Sequence, residues 1–217
     1  MKYNTYIFDF DYTLADSSKG IIESVNYALE KVGLEPQSEV NIRKSIGMSL
    51  KDAAKTLSGL SSEEKINEFA AHFTKKADQV MSANTLLYSD TIEVMSGLKQ
   101  KGFNVAIVSN KGAYRINDIL AKFEISELAD KIIGFEDVKE EKPSPEGLLK
   151  AVAHFNVEKS AVLYIGDSLI DAKTALSAGV DFGAVLSGTT TIAEFEKLPY
   201  VCIAKNLTEL MNCVVIL

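Results

Sequence analysis

Residues 8–17 read FDFDYTLADS, and the two aspartates at its start decide the fold. An apolar run, YIFDF, stops abruptly at Asp9 and Asp11 with only Phe10 between them. Side chains alternate across a strand, so Phe8 and Phe10 point one way and the aspartates the other. Two carboxylates on one face of a strand end repel each other, and folding alone gives no reason for the pair. Five further runs have the same strand character: NVAIVS from 104, KIIGF from 131, AVLYIG from 161, FGAVL from 182 and YVCIA from 200. Several are apolar without a break, as in parallel strands covered on both faces. Helical stretches at 90–101, 145–154 and 169–178 lie between them, the first and last followed by Gly102 and Gly179. This alternation predicts an α/β fold, a doubly wound, mostly parallel sheet, by analogy with strand order 3-2-1-4-5-6.

One connection is too long. About 90 residues separate the first two strands, far more than one crossover helix needs. The segment carries Ile21, Ile22, Val25, Leu29 and Val32 at helical spacing up to Gly33. Ser61 and Glu64 read as a capping box ahead of Ile66, Phe69, Phe73 and Val80. Residues 17–82 are therefore expected to form an inserted helical-bundle cap domain. Residues 1–16 and 83–217 form the α/β core, with hinges near 15–17 and 83–87.

The 217 residues are 47 % hydrophobic, enough for a packed core. A net charge of −7 without a basic block argues against a nucleic-acid or membrane-surface partner. No apolar run is long enough to span a bilayer, and the first one reads as a strand rather than a signal peptide. Cys202 and Cys213 have no metal-type spacing and read as buried or reduced thiols of a cytoplasmic protein.

Four polar clusters follow strand ends: Asp9 and Asp11; VSNKG at 108–112; EEKPSPEG at 140–147; and IGDSLIDA at 165–172. In a parallel doubly wound sheet these ends open onto one crevice. Asp9, Asp11, Asp167 and Asp171 bring four negative charges there, and Lys142 returns one. A hard divalent cation balances such a site. Mg²⁺ suits carboxylate and carbonyl oxygens, and without His or Cys in the cluster zinc does not fit.

The four motifs, in order, resemble the haloacid dehalogenase superfamily, in its phosphatase branch with a helical cap after the first motif. The resemblance spans nearly the whole chain. It implies a Mg²⁺-dependent phosphatase in which Asp9 attacks phosphorus and Asp11 serves as general acid and then base. It also implies that Thr13 fixes the turn after them. Ser109, with neighbouring N–H groups including that of Asn110, holds the phosphoryl oxygens, and Lys142 neutralises phosphoryl group and nucleophile. Asp9, the carbonyl of Asp11, and Asp167 ligate the metal, with Asp171 supporting the set. An aspartate at position 11 favours phosphoesters, because an alcohol needs a proton to leave and a halide does not. Tyr12 stands where the family usually has glycine, and two readings stay open: the turn tolerates tyrosine, or its ring lines the entrance and alters substrate choice.

The stretches FDFDYTLADS, SNK and GDSLIDAKTALSAGV resemble most the phosphoglycolate phosphatase group. That group shares these features with pyrophosphatases and β-phosphoglucomutases, so a small phosphorylated metabolite is the expected ligand and its identity stays open. So do a phosphomutase, a non-catalytic phosphate-sensing or partner-binding module, and the choice between monomer and homodimer. Bland readings stand beside the functional ones: Asp167 and Asp171 as charges complementing a helix N-terminus, Ser109 as an N-cap, Lys142 as a solvated loop lysine. Lys111 reads equally as a neighbour of the phosphate site and as a surface charge. His72 and His154 lie in helical stretches and read as structural or exposed, and the tail CVVIL as packed or edge-paired. In NIRKSIGMS, Arg43 and Lys44 precede a helix stop at Gly47. Arg43 is the candidate to grip a second anionic group of the substrate.

Overall fold

The computed structural model describes residues 2–216. The chain divides into two compact units, Met1–Ala15 with Leu87–Leu217, and Asp16–Leu86.

The first unit is built on strand β1 (Thr5–Phe8), all four residues of which are buried. After β2 (Ala15–Asp16) the chain enters the second unit, and it returns through β3 (Leu86–Leu87). Then follow α5 (Thr91–Gln100) and β4 (Asn104–Val108), α6 (Ala113–Lys122) and β5 (Lys131–Ile133), α7 (Glu146–Phe155) and β6 (Val162–Gly166). The unit closes with α8 (Leu169–Ala178), β7 (Asp181–Val185), the short α9 (Ile192–Phe195), β8 (Cys202–Ala204) and α10 (Leu207–Ile216). Six strands form one sheet in the order β5-β4-β1-β6-β7-β8. Every pair in it is parallel, with Phe8 opposite Ile107 on one side and Ile165 on the other. Counting only these strands, the order is 3-2-1-4-5-6, as the alternation predicts.

The unbroken apolar runs have the reason expected of them. On one face Ile7, Val108 and Tyr164 pack with Leu148 and Ala151 of α7 and Ala172 and Ala175 of α8. The alternate residues Tyr6, Phe8, Val105 and Ile107 are buried as well. Each such Ile or Phe contributes about 1.5–3 kcal/mol by leaving water. Because β1 sits in mid-sheet, its C-terminal end lies between the ends of β4 and β6.

In the second unit, α1 (Ser18–Lys31) packs against α4 (Glu63–Val80), with α2 (Glu39–Ser45) and α3 (Leu50–Ser58) joining them. Val25, Leu29, Ile42, Leu57, Phe69 and Phe73 fill its interior.

Several sequence expectations change. Ser62, not Ser61, caps α4, and its side chain makes no capping hydrogen bond. In α5, Met95 and Leu98 are buried while Ile92 is exposed. Of the two readings of the tail, packing holds for its described part and edge-pairing does not. Cys213 and Val214 belong to α10, which packs on β7 and β8, and Leu217 lies outside the described residues. That packing brings Cys213 to Cys202, with Cα atoms 6.5 Å apart, and the two form a disulfide instead of remaining reduced thiols. Spacing could not reveal it, because the pairing depends on α10 folding back over its own preceding strand. No described helix is long and apolar enough to cross a membrane.

Candidate active site

Asp9 extends the sheet by one rung, its N–H donating to the Ile165 carbonyl at 2.8 Å. The chain then turns at once: the N–H groups of Leu14 and Ala15 both donate to the Phe10 carbonyl, and that of Tyr12 to Ala15. Tyr12 adopts φ +59°, the left-handed region, which costs a bulky L-residue about 1–2 kcal/mol. Tyr12 is buried, 5 % exposed, like Asp11 and Thr13 on either side of it. The Ser187 hydroxyl donates to the Tyr12 carbonyl and holds the turn from the loop after β7.

The turn delivers Asp9, Asp11 and Thr13 in buried positions, and Ser109, Lys111, Lys142, Asp167 and Asp171 are buried too. Lys142 Nζ lies 2.8 Å from Asp9 Oδ1 and 2.7 Å from Asp171 Oδ1. It also donates to the Tyr164 hydroxyl at 3.0 Å. Asp171 is saturated: Oδ1 takes Lys142 and the Tyr164 hydroxyl at 2.9 Å, and Oδ2 takes the Ser168 N–H and hydroxyl. Ser168 and Asp171 thereby close a reciprocal cap on α8. Asp9 differs. Among the described residues no well-aligned hydrogen bond reaches its buried Oδ1, which has the Lys142 ammonium 2.8 Å away as counter-charge.

The Thr13 hydroxyl donates to Asp167 Oδ1 at 3.3 Å, a long bond. Burial pushes the Asp167 carboxyl well above the ordinary range, and repulsion from Asp171 and Asp9 adds to this. Burial likewise pushes Asp9 up to about 6, against the pull of Lys142 and with repulsion from Asp171. Burial alone would lower Lys142, but Asp171 and Asp9 outweigh it and hold the ammonium firmly protonated. Carboxylate oxygens of Asp9, Asp167 and Asp171 lie within 4.8 Å of one another. An oxygen-only, negatively charged cluster of this kind fits a hard divalent cation such as Mg²⁺.

Asn110 does more than border the phosphate region. Its side-chain oxygen accepts the Lys142 N–H at 2.9 Å and its amide donates to the Lys142 carbonyl at 3.1 Å. It thus ties the β4 loop to the loop carrying the lysine. Arg43 belongs to the other unit, where its guanidinium donates to the Ser18 hydroxyl at 2.8 Å.

Three contributors escape a motif reading. Lys111 is not a surface charge: it is 8 % exposed, with Nζ 2.9 Å from each oxygen of Asp11. Tyr164 hides inside an apolar strand, where only its hydroxyl distinguishes it. Gly188 lies so close to Asp167 that an added Cβ would stand 1.8 Å from Oδ2. The one signal for it is the small polar run LSGTT after the fifth core strand, a strand end like the others.

The comparisons with known proteins agree with this geometry. A family model described as haloacid dehalogenase-like hydrolase matches residues 6–185. The chain is 32 % identical over 186 residues to a phosphoglycolate phosphatase of Cereibacter sphaeroides, covering 84 % of each sequence. It is 28 % identical to the pyrophosphatase PpaX of Halalkalibacterium halodurans, over 90 % of this chain and 91 % of that one. The structure of a haloacid dehalogenase-like hydrolase from Bacteroides fragilis superimposes with a TM-score of 0.93 at 42 % identity, covering 95 % of this chain and 98 % of that one. Since the matched residues run from the first strand through the seventh and take in every carboxylate of the cluster, the chain belongs to the haloacid dehalogenase-like hydrolase family.

Proposed function

We propose that the protein is a Mg²⁺-dependent phosphatase of small phosphorylated metabolites, akin to phosphoglycolate phosphatases, working through an aspartyl-phosphate on Asp9. One observation carries the reading: Asp9 is buried, bears an oxygen without a hydrogen-bond donor, and has the Lys142 ammonium 2.8 Å away. A carboxylate so placed keeps a lone pair for phosphorus and has a cation beside it to balance the charge that gathers there.

In the first half-reaction an Asp9 oxygen forms a bond to phosphorus while the ester P–O bond breaks, and Asp11 gives the departing alkoxide its proton. In the second, water attacks the phosphoryl group, Asp11 takes the proton, and orthophosphate leaves with Asp9 restored. Ser109 and the N–H groups of its loop orient the phosphoryl oxygens. Lys142 balances charge on nucleophile and phosphoryl group, kept in line by Asp171, Tyr164 and the Asn110 clamp. Asp9, Asp167 and the Asp11 carbonyl would hold Mg²⁺, with Asp171 in support. When bound, the ion supplies positive charge that offsets the carboxylates and the phosphoryl oxygens. The core is the catalytic domain and the helical unit a cap that governs substrate access and choice.

The test is hydrolysis of p-nitrophenyl phosphate and a panel of phosphomonoesters, with Mg²⁺ and with excess chelator. Asp9→Asn is expected to lower kcat on the order of 10⁴- to 10⁶-fold, and chelator to abolish turnover. Unchanged turnover in either case overturns the reading. The PpaX relative favours one alternative substrate, inorganic pyrophosphate, which belongs in the same panel.

A further inference from the structure

The site holds two buried lysines, and they serve different carboxylates. Lys142 stands between Asp9 and Asp171. Lys111 stands on Asp11, with Nζ 2.9 Å from Oδ1 and 2.9 Å from Oδ2. Its side chain is 4 % exposed and that of Asp11 10 %. Its ammonium also lies 5.8 Å from the centre of the Phe10 ring, beside the backbone that carries Asp11. The Lys111 N–H donates to the Ser109 hydroxyl at 3.3 Å, fixing where the lysine leaves the β4 loop. A buried ion pair is weak grounds for stability, since desolvating both charges offsets their attraction. Something other than folding keeps this one.

We propose that Lys111 is the positioning residue of Asp11. Gripping both oxygens fixes the side-chain torsions of Asp11 and holds its carboxyl in the crevice, within reach of the leaving oxygen and then of the attacking water. This rests on the phosphatase reading and assigns the proton-transfer residue its support. A displacement near 1 Å of a reacting group can cost about 10²-fold in rate, and correctly placed proton transfer is worth about 10²- to 10⁴-fold.

The experiment is a double-mutant cycle of Lys111→Met with Asp11→Asn, run on p-nitrophenyl phosphate and on an alkyl phosphate of poor leaving group. A lysine that acts through Asp11 gives a kcat loss of about 10²-fold in the parent, with KM nearly unchanged. The kcat/KM loss is larger for the alkyl phosphate, whose departure needs the proton, and there is no further loss in the Asp11→Asn background. Lys111→Arg recovers part of the rate. Lys111→Gln runs the same cycle should the methionine variant fail to fold. Equal losses in both backgrounds, a rise in KM alone, or no loss overturns the proposal. The phosphatase reading is judged separately: it fails if the parent does not turn over, if Asp9→Asn retains full activity or if excess chelator leaves turnover unchanged.

Discussion

Asp9 is a carboxylate that the fold holds against its own stability. Its folded value near 6 stands above the unfolded value of 3.8, so the folded state binds the proton more tightly. The contribution of Asp9 to stability is therefore fully present below the unfolded value and is lost as pH rises through the folded one. A shift of about 2 units corresponds to roughly 2–3 kcal/mol at neutral pH. Asp9→Asn, melted in chelator at pH 8, is expected to be more stable by that amount, a gain in Tm of roughly 5–10 °C. The gain should shrink at pH 5 and vanish near pH 3.5; one that does not change with pH would mean that the buried charge of Asp9 is not its source. The aspartates were legible in the sequence because carboxylates at a strand end have no folding reason to be there. Tyr12 was legible only as a departure from glycine. Its positive φ follows from the turn around the Phe10 carbonyl, while its burial depends on neighbours that a linear reading does not supply. Lys111 stayed undecided for the same reason, since its charge gains meaning only from the distance to Asp11.

Among the elements, the six core strands were readable because parallel strands buried on both faces leave unbroken apolar runs, while their order came only by analogy with doubly wound sheets. The loop after β7 was not, because its contribution lies in an absent side chain. Gly188→Ala puts a methyl group where Asp167 Oδ2 stands, and either the loop or the carboxylate must move. Activity should fall about 10²-fold and the Mg²⁺-induced rise in Tm should shrink, with the circular dichroism spectrum intact. Wild-type kinetics in this variant would show that the loop does not fix Asp167. Helix α10 was hidden for another reason: CVVIL has the composition of a strand, and its helical state follows from packing on β7 and β8. The disulfide that joins it to β8 closes a short loop, for which the chain-entropy effect is about 2–3 kcal/mol. Cys213→Ser, or reduction of the parent, should lower stability by about that much. A thiol titration of the unreduced protein should find no free sulfhydryl; two would remove the bond.

At the scale of the whole molecule, the division of labour between the units is the part that sequence suggests through one overlong connection. In the proposed reaction the core motifs meet only the phosphoryl group and the metal, which all substrates share, so choice is proposed to reside in Asp16–Leu86, with Arg43 the candidate. Arg43→Ala should lose most activity on the best substrate carrying a second anionic group and little on p-nitrophenyl phosphate, which has none. Equal losses on both would point instead to a structural role through its bond to Ser18, and leave Lys44 as the next candidate. The position of β1 also has a consequence for biosynthesis. This central strand leaves the ribosome before either of its two partners, β4 and β6, which end at Val108 and Gly166. At 5–20 residues per second, β1 waits roughly 8–30 s for the second of them. Meanwhile all four helices of the insert have been made and can close on one another. The nascent chain is thus expected to carry a finished helical bundle behind a bare apolar segment, Thr5–Phe8, and that segment is where a chaperone has reason to bind.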